Sequence, residues 1–123
     1  MKCATRLRWG FVLANGTQPG YAAGRMKKTG VADYLASTAR VDGWFFPVDA
    51  YAFGMIDEIQ KRESISGNLF EIGVHHGKTA IFLARAAAPG EIVGVCDVFE
   101  DQQLNVDHSG SGSRDQFLAN MPG

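Results

Sequence analysis

The stretch Leu69 to Phe99, "LFEIGVHHGKTAIFLARAAAPGEIVGVCDVF", decides the fold. It opens on a short apolar run, Leu69 to Ile72, of strand length and preceded by the turn residues Ser66, Gly67 and Asn68. A glycine loop follows, then "KTAIFLARAAA", which is rich in strong helix formers and apolar on nearly every side. A helix of that kind is expected to be largely buried. Pro89-Gly90 stops it, and the β-branched Ile92, Val93 and Val95 suit a second buried strand. Strand, glycine turn, helix, stop and strand make a βαβ unit, which implies parallel strands and a right-handed crossover.

Working outward, Val48, Tyr51, Met55, Ile56 and Ile59 recur at steps of three and four and mark one apolar helical face through "VDAYAFGMIDEIQKR". Lys61 and Arg62 fall at its C-terminal end, where the helix dipole favours them, and Gly54 weakens its middle by up to about 1 kcal/mol. "VADYLASTARV", 31–41, predicts a short helix ending before Gly43. Between the two lies the aromatic cluster Trp44, Phe45 and Phe46, which suits core packing and alternatively the wall of a substrate pocket. Residues 1–30 show no sustained period and read as a loosely ordered arm ahead of a domain spanning 31–123. Downstream, "EDQQLNVDHSGSGS" is a polar, glycine-rich loop, and Ser113 to Gln116 form a capping-box pattern opening a last helix, "RDQFLANM".

With 123 residues, 46% of them apolar, the chain is one domain long and can bury a core. Its net charge of −1 hides an asymmetry: residues 1–40 carry +6 and the remainder −7. A basic arm on an acidic body suits nucleic acid less well than a solvated tail or one packed on its own domain. Cys3 and Cys96 give neither a disulfide framework nor zinc spacing. No apolar run reaches the length of a membrane span, and the run after Arg8 is too short for a signal peptide, so a cytoplasmic setting is expected.

Three ligand readings compete for "EIGVHHGK". A Walker A loop, G-x-x-x-x-G-K-[ST], places Ile72 where its first glycine belongs, and the bulky His75 and His76 sit inside the loop. The dinucleotide pattern G-x-G-x-x-G, started at Gly73, meets His75 and Lys78 at its other two glycine positions. The third pattern is acid-x-G-x-x-x-G closing a first strand, with an acid closing the second: Glu71, Gly73, Gly77 and Asp97 meet it.

That third pattern resembles motif I and the adjoining acidic position of class I S-adenosylmethionine-dependent methyltransferases. "FEIGVHHGKTAIFLARAA" and "IVGVCDVFEDQ" look most like the members that modify sugars and natural products. The core of the match is 69–101, and 43–120 is its widest extent. The resemblance implies an α/β, Rossmann-like methyltransferase fold, truncated after the first βαβ unit and the start of the next helix. It implies S-adenosylmethionine as cofactor and a small-molecule acceptor.

The cofactor-binding residues it points to are Glu71, Gly73, His75, Gly77, Lys78, Thr79, Asp97, Val98 and Phe99. Asp97 would accept hydrogen bonds from the ribose hydroxyls, Glu71 would meet the cationic amino-acid end, and Val98 and Phe99 would flank the adenine. Gly73 and Gly77 would let the backbone approach, while Lys78 and Thr79 would open the helix near the carboxylate. Structural roles stand beside these: Glu71 ordering the loop, Asp97 capping a turn, Lys78 as a solvated charge.

No metal site is expected, because adjacent histidines such as His75 and His76 send their side chains apart. No catalytic residue is named, since the strands that would carry the acceptor site in this family have no counterpart in the sequence. Two parallel strands alone are marginal, which raises self-association or strands drawn from the arm as sources of support. A nucleotide-binding or non-catalytic interaction module is the alternative function.

Overall fold

The computed structural model describes residues 12–14, 30–106 and 108–121. Its elements run β1 (Val12–Ala14), α1 (Val31–Ser37), α2 (Pro47–Arg62), β2 (Leu69–Ile72), α3 (Lys78–Ala86), β3 (Val93–Cys96), a 3-10 turn at Gln102–Leu104, and α4 (Arg114–Asn120). Together they form a small mixed α/β domain.

The βαβ unit expected from 69–99 is present. β2 and β3 are parallel, with Leu69 opposite Val93 and Ile72 opposite Cys96, and α3 is the connection between them. The sheet has a third member, in the order β1-β3-β2: β1 runs antiparallel to β3, Val12 facing Val95. That strand comes from the segment read as a loose arm, of which residues 1–11 and 15–29 lie outside the described residues.

β3 is buried on both faces, whereas β2 is covered on one. Leu69 and Val93, together with Val95, point into a cluster with Val74, Ala80, Phe99 and Phe117. On the other face Phe70 is 54% and Ile72 74% exposed, and the Phe70 ring lies across Gly94, where a Cβ would come within 2.7 Å of it.

A second cluster joins Tyr34 of α1, Phe45, Ala50 of α2, and Ile81 and Phe82 of α3, with Tyr34 edge-on to both phenylalanines. Tyr34 also donates its hydroxyl to the Lys78 carbonyl at 2.7 Å, which fixes α1 against the start of α3.

Helix α2 begins on Pro47, a favoured first helical residue, and Asp49 accepts the Phe46 N–H at 2.9 Å. Its expected apolar face is not what it buries. Val48 is 72% and Met55 68% exposed, and Tyr51, Ile56 and Ile59 also face outward. The helix packs through Ala50, which is fully buried, and through Gly54, where a Cβ would lie 2.8 Å from Val31 Cγ2. Small residues let α1 and α2 approach closely, so the glycine that weakens the helix also makes its packing possible.

Helix α4 starts where the capping pattern places it, with the Gln116 N–H donating to Ser113 Oγ at 3.3 Å. Among the described residues no helix is long and apolar enough to cross a membrane.

Candidate functional site

A cavity of about 560 Å³ opens beyond the carboxyl ends of β2 and β3. Open parallel sheets place ligands there, because the strand-to-helix loops splay apart at that edge. Gly73, His75, Asp97 and Val98 line it, four of the nine residues expected to meet a cofactor. Trp44, Gln102, Asn105, Gly110 and Gly112 line it as well.

Asp97 organises this edge. Its Oδ2 accepts the His75 N–H at 2.8 Å and its Oδ1 accepts the Phe99 N–H at 2.7 Å. The carboxylate therefore ties the loop after β2 to the loop after β3, and both residues whose amides it holds have positive φ, 51° at His75 and 46° at Phe99. Left-handed backbone at residues with a Cβ costs on the order of 1–2 kcal/mol each, which these amide bonds help to offset. Each oxygen keeps acceptor capacity beyond its one amide.

Gly73 also has positive φ, 80°, and nothing lies within 4 Å of where its Cβ would be. A ligand can approach the backbone closely there. Gly77, at φ 89°, is different: its Cβ would sit 2.9 Å from the Phe117 ring, so the glycine makes room for α4 rather than for the cavity. Phe99 is likewise taken up in packing, its ring 5.7 Å from that of Phe117. Lys78 lies outside the cavity lining, its Cβ 3.2 Å from the Cβ position of Gly43.

Glu71 and Thr79 line a second cavity, of about 690 Å³, between α2, β2 and α3. Glu71 sits on the covered face of β2. Burial pushes its pKa from 4.5 up to about 7; a hydrogen bond with Thr79 pulls the other way, and the Asp97 charge adds to the rise. Its Oε2 is buried without a hydrogen-bond partner. The structure thus separates the two acids that the sequence pattern joins: Asp97 borders the first cavity, Glu71 the second.

The wall of the first cavity comes from the aromatic cluster, read from the sequence as core or alternatively as a pocket wall, and from the polar loop after β3, which the sequence did not mark as a site. Of the aromatic cluster, Phe45 is core while Trp44 stands 63% exposed, its ring 5.0 Å from that of His75. The polar loop after β3 is internally bonded: Asn105 Nδ2 donates to Gln102 Oε1 and to the Gly110 carbonyl, both at 2.9 Å, and Gln102 donates to the Phe99 carbonyl. Gly110 and Gly112 allow that loop to lie against Trp44 and the His75 backbone, where added Cβ atoms would come to 2.9 and 3.2 Å.

His75 and His76 do not diverge, contrary to the expectation from their adjacency. They occupy the turn closed by the Gly77 N–H to Val74 carbonyl bond at 2.8 Å, and the positive φ of His75 brings the rings to 3.9 Å between centroids, tilted by 35°. Donor atoms of Asp42, His75 and His76 all lie within 4.8 Å of one another.

Comparison with protein-family models, curated proteins and solved structures found no match for the chain.

Proposed function

We propose that the chain binds S-adenosylmethionine in the cavity beyond β2 and β3, as the cofactor-binding part of a Rossmann-like methyltransferase acting on a small molecule in the cytoplasm. The observation that carries this reading is the pairing of an open glycine, Gly73, with the Asp97 carboxylate across the ends of two parallel strands. The sequence resemblance supplies the identity of the ligand, and the geometry is compatible with it.

The cofactor's sulfonium supplies an electrophilic methyl group, so the protein's task is largely positioning. Gly73 admits the ligand to the backbone, the remaining acceptor capacity of Asp97 suits paired hydroxyls, and Val98 offers an apolar edge. Glu71, on the covered face of β2, has a hydrogen bond with Thr79 at the start of α3.

Calorimetric titration of the full chain tests the reading. Saturable heats with S-adenosylmethionine and S-adenosylhomocysteine are expected; saturation with ATP or NAD and none with these two would sink it. A non-catalytic module is the second reading, favoured by the engagement of both Asp97 oxygens with backbone amides. It predicts no saturable heat with any of the four.

A further inference from the structure

We propose that Asp42, His75 and His76 form a binding site for a divalent transition metal of the zinc class. Two imidazole nitrogens and one carboxylate oxygen within 4.8 Å of one another are a mixed nitrogen and oxygen donor set. Such a set suits Zn²⁺, Co²⁺ or Ni²⁺, whereas Mg²⁺ and Ca²⁺ prefer oxygen alone. Donors on one tetrahedral ion stand about 3.4 Å apart at metal–ligand distances near 2.1 Å, so side-chain rotations closing a pair by at most about 1.4 Å complete the site.

Three features of the fold hold these donors together. The His75 N–H bond to Asp97 and its positive φ set the turn that stacks the two rings. Asn120 Nδ2 donates to the His76 carbonyl at 2.9 Å and anchors the turn to α4. Gly43, next to Asp42, lies against the Lys78 side chain and brings the carboxylate's segment to the same place.

The independent pointer to a ligand is His75 Nδ1, which is buried and has no hydrogen-bond partner among the described residues. Buried imidazole nitrogens are normally engaged, by hydrogen bonds or by metal. Asp42 is exposed, which leaves the fourth position of the ion to water. The site shares His75 with the lining of the proposed cofactor cavity, but the cofactor reading assigns nothing to His76 or Asp42, so variants at those two positions separate the two proposals.

The test is titration of the full untagged chain with Zn²⁺ by calorimetry and with Co²⁺ by visible absorption. One ion per chain is expected, with Co²⁺ bands of a four- or five-coordinate site. His76→Ala and Asp42→Asn should each weaken Zn²⁺ binding by at least about tenfold with an unchanged circular dichroism spectrum, and His108→Ala should leave it unchanged. Should His76→Ala fail to fold, His76→Gln and Asp42→Asn carry the test, Asp42 being exposed. Absence of saturable binding at micromolar Zn²⁺, or parent-like affinity in a folded His76 or Asp42 variant, overturns the proposal.

Discussion

Asp97 at the end of β3 accepts the His75 backbone N–H at 2.8 Å, so the acid of one strand fixes the glycine loop of the other. A residue that braces the loop and borders the cavity has two effects when replaced. Asp97→Ala should lower stability by about 1.5–3 kcal/mol, the cost of charge-assisted bonds to amides left in a positive-φ backbone. Asp97→Asn, which retains one acceptor oxygen, should cost less. Urea denaturation checks the order; equal stability of parent and Asp97→Ala would show that the brace contributes nothing.

The two glycines of the loop should respond differently. Gly77→Ala meets both a left-handed backbone and the Phe117 ring, for a loss of about 2–4 kcal/mol. Gly73→Ala carries only the backbone cost, about 1–2 kcal/mol, because its Cβ enters open space. That same Cβ projects where the ligand is proposed to lie. Folded Gly73→Ala should therefore lose affinity for S-adenosylhomocysteine out of proportion to its stability, as read by calorimetry beside thermal melts.

Glu71 sets a pH dependence of definite sign. With a folded pKa of about 7 against 4.5 for the free side chain, the folded chain holds the proton longer than the unfolded chain. Glu71 therefore costs nothing below about pH 4, and its destabilisation grows as pH rises to 7 and then levels off. The full cost is on the order of 3 kcal/mol. Glu71→Gln should match the parent in acid and exceed it at pH 7.5, measured as the difference between their denaturation curves. A difference that does not vary with pH would contradict the assignment.

Trp44 reports on the cavity. In a Trp9→Phe background its emission should shift when S-adenosylhomocysteine binds, because its ring lies against His75 at the cavity wall. Binding detected by calorimetry with no change in Trp44 emission would put the ligand elsewhere.

The βαβ unit was legible because each boundary has its own chemistry: turn residues before Leu69, Pro89-Gly90 after α3, β-branched residues in β3. The burial of α2 was not, because periodicity tells which residues share a face and not what covers it. Val48 and Met55 share a face that stays exposed, while Ala50, Phe53 and Gly54 make the contacts. At the site, Gly73 and Asp97 were readable from a pattern of short range. Trp44 was readable only as one of two alternatives for its cluster; Asn105 and Gly110 were not readable, since they meet the cavity through loop closure, and the convergence of His75 with His76 depends on a positive φ that the residue type does not announce.

The two apolar clusters share Leu83 and Met121 as partly buried neighbours. The floor of the cavity rests on the sheet cluster through Val74 and Phe99, whereas Trp44 adjoins Phe45 of the helical cluster. Amide protons of α1 and α2 can then exchange through a sub-global opening that leaves β2, β3 and their loops closed. Such an opening would carry Trp44 away from His75 while the Asp97 brace persists, and hydrogen exchange should then show α1 and α2 less protected than β2 and β3.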